Sequence, residues 1–314
     1  MSTTTAPDAA PARAPRRSLA RLSDYPWRQR ARTQRRVHKR GRQEWLVFIA
    51  RHSLAIAAAI MFLVPFCFVV LMSFMTSDQA LTSDFWPHTW HPENFVQIFS
   101  TVPLLRYLGN TVLYSVLATG FMLLSSVPAA YALARLRWRG RNAVFLVVIG
   151  MMMLPPQVVT VPLYLMWADL GLTGTLWPLI LPMLAGDAFS IFLLRQFLLT
   201  IPAEYTDAAR VDGCGEWRVL LRVVVPMAKP GIAAAAIFQF FYAWNDYYGP
   251  LLYTSESPEH WTLSLALSQF KHLHHVEWNL VMAATLLVML PVIVVFFFAQ
   301  KAFVQGVTLT GVKG

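Results

Sequence analysis

The chain has 314 residues, 56% of them hydrophobic and only 13% charged, against about 45–50% and about 25% in ordinary soluble domains. Its formal charge of +10 sits in residues 1–52, where thirteen Lys and Arg face only Asp8, Asp24 and Glu44, so the remainder is neutral. A soluble core of this size cannot hide so much apolar surface, and a neutral body excludes a basic nucleic-acid face; with only Cys67 and Cys214 a disulfide scaffold is excluded as well. The composition is that of an integral membrane protein.

Residues 1–52, rich in Arg, Ala, Pro and Ser, read as a disordered tail. They either touch anionic lipid or extend into solvent. Residues 53–314 form the membrane domain. Four long windows lack Asp, Glu, Lys and Arg: 52–77, 107–134, 142–168 and 278–300. Two further windows, 170–194 and 230–255, are each interrupted by one acid, Asp187 and Asp246. A spanning helix needs about 20 apolar residues, which predicts six helices near 54–75, 111–133, 143–167, 177–198, 230–252 and 280–300. The runs are continuous and do not alternate, so the fold class is all-α and not a barrel. Of the 26 Lys and Arg, 24 fall in the tail, the second and fourth connections and the C-terminus; only Arg106 and Lys271 lie in the others. The positive-inside bias then places both termini in the cytoplasm.

Along the chain, Trp86, Trp90 and Trp261 fall in external loops at headgroup level. Pro155-Pro156 removes backbone hydrogen bonds in the third helix and predicts a kink. Asp187 falls near the middle of the fourth helix, where an acid costs about 2.5–3.5 kcal/mol to insert and so faces protein or water. It either lines a polar path or makes a helix–helix contact. Trp244, Asn245, Asp246 and Tyr247 in the fifth helix combine amide, carboxylate and aromatic groups that match the hydroxyls and C–H faces of a sugar; they equally suit an outer-interface belt. His272, His274 and His275 lack Cys or carboxylate partners at ligand spacing, so no metal site is expected.

The connection over 199–229 is long and polar. Tyr205, Ala208 and Ala209 share one helix face, Glu204 and Asp207 sit early and Arg210 late, and Gly213 can end the helix. Trp217, Leu220, Leu221 and Val224 then recur at helical spacing up to Pro226. The prediction is a short helix, a glycine turn and a second amphipathic helix. Its small residues suit docking into a partner's groove or packing on the chain's own core.

Asp207-Ala208-Ala209, Gly213 and Val223-x-Val225-Pro226 resemble the E-A-A-x-x-x-G and I-x-L-P motif of ABC importer permeases, with Asp for Glu and Val for Ile and Leu. Agreement with the maltose-type carbohydrate branch extends over residues 54–314. It includes Trp90-His91-Pro92-Glu93-Asn94-Phe95, Tyr107-Leu108-Gly109-Asn110, Leu154-Pro155 with Pro162-Leu163-Tyr164, Trp244-Asn245-Asp246 and Gly311-Val312-Lys313-Gly314. The resemblance implies a six-helix permease fold in the bacterial cytoplasmic (inner) membrane, and a homologous permease partner. It also implies an extracytoplasmic sugar-binding protein and two ATPase subunits. Glu204, Asp207, Ala208, Ala209, Arg210, Asp212 and Gly213 would couple the permease to the ATPase. The chain has no G-x-x-x-x-G-K-[ST] loop; ATP and Mg would be held by the partner, and this chain would bind no cofactor and catalyse nothing. The alternative is a proton-coupled secondary transporter using Asp187 and Asp246, in which the EAA-like loop has no role. A membrane-anchored scaffold would leave the polar positions of the fourth and fifth helices unexplained.

Overall fold

The computed structural model describes residues 26–82, 84–270 and 276–311, and these are helical with no β-sheet among them. The chain divides into two units, Met1–Phe66 and Cys67–Gly314. The described part of the first is a single helix, α1 (Pro26–Met72), which runs on into the second. Its segment Trp45–Met72 is long and apolar enough to cross a membrane. The structure thus differs from the predicted tail over 26–52, which is helical; residues 1–25 lie outside the described residues. The physical reason is local. Pro26 suits the first helical position, and from Trp27 to Arg40 neither Gly nor Pro interrupts a run of good helix formers, Arg, Gln and Ala.

The second unit is built around α3 (Leu104–Arg135), which follows the short α2 (Glu93–Thr101). Three apolar clusters attach to α3 along its length. Near its start, Tyr107 packs with Ile98 of α2 and with Trp244, Leu263, Phe270 and Leu280. In the middle, Tyr114 and Ala118 meet Leu179, Ile180 and Ala243. At its end, Tyr131 and Ala134 join Leu194, Phe197, Val219, Leu220 and Val224. Without a water-driven force between helices in lipid, close approach of small residues does this work. Ala118, Ala130, Ala235, Ala283 and Ala284 are accordingly completely buried.

Three spans expected as single helices are interrupted. α4 (Arg141–Met152) and α5 (Pro156–Asp169) meet at 94°. Pro155 is extended at φ −61°, ψ 130° and Pro156 opens α5, so the proline pair makes a full break and not a mere kink. The fourth span, Trp177–Thr200, starts as α6 (Trp177–Ile180), continues as a 3-10 turn (Leu181–Ala185), and restarts as α7 (Ala188–Thr200) after Gly186 at φ +93°. Beyond it come α8 (Glu204–Val211) and α9 (Glu216–Met227), the latter with a π turn over Leu220–Val224. An 80° bend at Ala228 leads into α10 (Lys229–Asn245). α10 stops seven residues short of the predicted end, because Asp246 and Tyr247 break the helix before α11 (Tyr248–Thr254). After α12 (Leu263–Ala266) the chain closes with α13 (Trp278–Gly311). Among the described residues four helical stretches are long and apolar enough to cross a membrane, or up to six if each bent pair is one span.

Candidate functional site

The EAA-like segment folds as predicted into helix, glycine turn and helix. Asp212 and Gly213 close α8, and Gly213 adopts φ +79° with nothing within 4 Å of where a Cβ would stand. Only its backbone conformation, not crowding, calls for glycine. Cys214 N–H then donates to the Ala209 carbonyl at 3.0 Å, satisfying an end-of-helix acceptor.

Arg210 ties the two helices together. Its Nε donates to Glu216 Oε1 at 2.9 Å and its Nη1 to Asp207 Oδ1 at 2.8 Å. Tyr131 of α3 donates its hydroxyl to Glu216 Oε2. Hydrogen bonds from Arg210 and then Tyr131 hold the Glu216 carboxyl below its usual value, and Glu216 in turn raises Arg210. Arg135, at the end of α3, donates to the carbonyls of Leu198 and Ile201 at the C-terminal end of α7. Arg135 thus fixes the end of α7 just before α8, and Tyr131 fixes the start of α9 just after it. Glu216, Tyr131 and Arg135 were not among the predicted site residues. The one sequence signal was Glu216 opening an amphipathic helix just after a glycine turn.

The exposures settle which way the segment faces. Thr206 is buried and Ala209 half-buried on the core, whereas Tyr205 and Ala208 face outward with Glu204, Asp207 and Asp212. On α9, Val219, Leu220 and Val224 are buried, while Trp217 and Leu221 of the predicted apolar face are 68% and 61% exposed. The π turn shifts the register so that Val219 takes an inward position. Tyr205, Val211 at 88% exposure, Trp217 and Leu221 thus leave large side chains uncovered. Beside them lies a cleft of about 1040 Å³ between the α3–α4 connection and α8.

The predicted path residues separate. Asp187 is not inside a helix: it caps α7, accepting the Ser190 N–H at 2.7 Å, while its own N–H donates to Ser126 Oγ. A hydropathy window does not register this break, although Gly186-Asp187 is a stop–start signal in itself. Asp246 is also a turn residue. Its Oδ1 accepts the Gly249 N–H at 3.0 Å and its Oδ2 accepts the Tyr114 hydroxyl at 2.9 Å. Trp244 is 3% exposed and stacks on Phe240 in the core. Asn245 and Tyr247 are exposed, the former's amide donating to the Phe241 carbonyl. Tyr248, adjacent to the predicted set, and Tyr242, which the sequence did not single out, are exposed on the same stretch, and Tyr248 Oη lies 3.3 Å from Thr160 Oγ1 of α5. The histidines at 272, 274 and 275 lie outside the described residues.

Residues 126–309 match the profile of the family described as binding-protein-dependent transport system inner membrane component. The chain is 32% identical over 275 residues to the arabinooligosaccharides transport system permease protein AraQ of Halalkalibacterium halodurans, covering 86% of this chain and 96% of that one. It is 32% identical over 258 residues to the lactose transport system permease protein LacG of Rhizobium radiobacter, covering 82% and 94%. Among solved structures it shares the fold of a bacterial ABC transporter involved in import of the acidic polysaccharide alginate. That match has a TM-score of 0.72 and 24% identity, over 83% of this chain and 98% of that one.

Proposed function

The chain belongs to the family of binding-protein-dependent transport system inner membrane components, and on that premise we propose that it carries a carbohydrate inward as one permease half of an ATP-driven complex. As a member it is an integral membrane permease subunit of an ABC importer. The carbohydrate assignment is supported by the relatives named for arabinooligosaccharides and lactose. In this reading an extracytoplasmic binding protein delivers the sugar to a second, homologous permease and this one. Two ATPase subunits bind ATP and Mg²⁺ on the cytoplasmic side, where both termini lie, and this chain performs no chemistry. The family supports no proton-coupled carrier.

The observation that carries the coupling role is the outward patch of α8 and α9. Tyr205, Val211, Trp217 and Leu221 are large, apolar and exposed on a segment tied together by Arg210 and anchored to α3 by Tyr131. A patch of this kind marks a protein-binding surface. Ala208 faces outward beside Tyr205, so its small side chain lets a partner's groove close on the helix. Asn245, Tyr247, Tyr242 and Tyr248 would meet sugar, while Asp187 and Asp246 shape the path by holding its turns. The test is Ala208→Trp. The permease pair should still assemble, and sugar-stimulated ATP hydrolysis by the reconstituted complex should fall at least tenfold, about 1.4 kcal/mol, within the usual cost of overpacking. Normal stimulation would overturn the assignment.

A further inference from the structure

The cleft beside α8 contains more positive charge than its acids neutralise. Of its arginines, Arg135 is bonded to the α7 carbonyls and Arg210 to Asp207 and Glu216, the cleft's two acids. Arg137 has no hydrogen-bond or ion-pair partner among the described residues, and Arg141 donates only to the Leu136 carbonyl at 3.1 Å. A second cavity of about 410 Å³ adjoins the first and shares Arg137, Trp138 and Arg141. Nearby, Arg195 donates its Nε to the Leu133 carbonyl at 3.2 Å, and its guanidinium lies 3.8 Å from the centre of the Phe145 ring. Arg137 and Arg141 thus line both cavities, and neither is paired with a carboxylate among the described residues.

What lies next to this charge decides the ligand. α4 starts at Arg141 and buries none of its residues, with Val144, Leu146 and Val147 all exposed. An apolar track therefore leads straight from the basic cleft along a helix made for the bilayer. Arg137 and Trp138 stand just past the end of the α3 span, the depth at which headgroups, arginines and tryptophans meet. A soluble phosphate would use the guanidinium groups and leave the track idle; a lipid uses both.

We propose that Arg137 and Arg141, with Trp138 at the rim, bind the phosphate of an anionic phospholipid whose acyl chains run along α4. The site would place a lipid against the wall opposite α8, where it tunes how the segment sits. It does not depend on the sugar or on the ATPase.

The full chain, purified in mild detergent and stripped of lipid, would be titrated with phosphatidylglycerol or phosphatidylcholine and the bound lipid counted by native mass spectrometry. One phosphatidylglycerol should be retained in preference to phosphatidylcholine. Arg137→Gln/Arg141→Gln should weaken it about thirtyfold, as loss of two interfacial charges predicts. Arg137→Lys/Arg141→Lys should keep most of the affinity, and Arg218→Gln, outside the cleft, should change nothing, which separates lost charge from lost folding. Equal retention by the double Gln variant would overturn the site. Displacement of the lipid by millimolar inorganic phosphate would overturn the lipid in favour of a soluble anion. Loss of a co-purifying subunit from the double Gln variant, with lipid binding intact, would make the cleft a protein surface and likewise overturn it.

Discussion

Gly213 closes the turn between α8 and α9 at φ +79°, in open space. A side chain there meets no neighbour, so the cost of replacing it is purely conformational, about 1–2 kcal/mol for an ordinary residue. Gly213→Val should therefore uncouple ATP hydrolysis from sugar in the reconstituted complex, whereas Gly213→Asn, which tolerates this conformation, should retain coupling; equal defects in both would contradict a purely conformational role. Asp246 separates the two transport mechanisms just as cleanly. In Asp246→Asn the amide oxygen can accept the Gly249 N–H and the amide nitrogen can donate to Tyr114, whose hydroxyl serves either way. Uptake by that variant should stay within about twofold of the parent, since the replacement preserves both bonds. A carrier that needs a titrating carboxylate would lose all uptake. The same logic applies at Asp187. Asp187→Leu removes a helix cap worth about 1 kcal/mol and confuses stability with flux, whereas Asp187→Asn preserves the cap.

Helices α7 and α10 approach one another because Gly231 has no side chain. A Cβ at that position would stand 2.5 Å from Phe197 Cγ and 2.8 Å from the ring's next carbons. Phe197 is itself 5% exposed and enclosed by the cluster around Leu194 and Val224, so it cannot retreat. Gly231→Leu should lower the stability of the detergent-purified protein by about 1–3 kcal/mol, read as a fall in thermal midpoint. Phe197→Leu should restore part of the loss in the double variant; purely additive effects would show that the two positions do not share this contact. The bends at Pro155 and Ala228 act at the same scale. Each splits an apolar stretch into two pieces at 94° and 80°, so that α5 and α10 can turn toward different neighbours from α4 and α9.

For the molecule as a whole, the orientation proposed from charge has a direct check. In a chain lacking Cys67 and Cys214, Ser255→Cys should react with an impermeant thiol reagent in intact cells, and Asp212→Cys should react only after the membrane is opened. Labelling of Asp212→Cys in intact cells would invert the topology and put the outward patch of α8 and α9 on the wrong side for an ATPase. Both positions are exposed in the folded chain, so burial within this chain cannot silence either.

Membrane class, the apolar stretches and the helix–glycine–helix segment followed from the sequence alone, because each rests on short-range properties: continuous hydropathy, charge asymmetry and a glycine flanked by amphipathic runs. The breaks around Asp187 and Asp246 lay within reach as well, but an average over 20 residues erases a two-residue turn. Other features were decided only in three dimensions. Trp244 and Asn245 are neighbours in the chain, yet one is buried on Phe240 and the other exposed, since the end of α10 turns one residue into the core and the next out of it. Glu216 gained its place from Arg210 six residues away and Tyr131 eighty-five away. No local pattern encodes that pairing, because α3 and α9 meet only when Tyr131, Val219 and Leu220 share one core. Which face of α8 and α9 remains uncovered was fixed by the same packing, with Val219 turned inward beside the π turn and Trp217 and Leu221 left exposed.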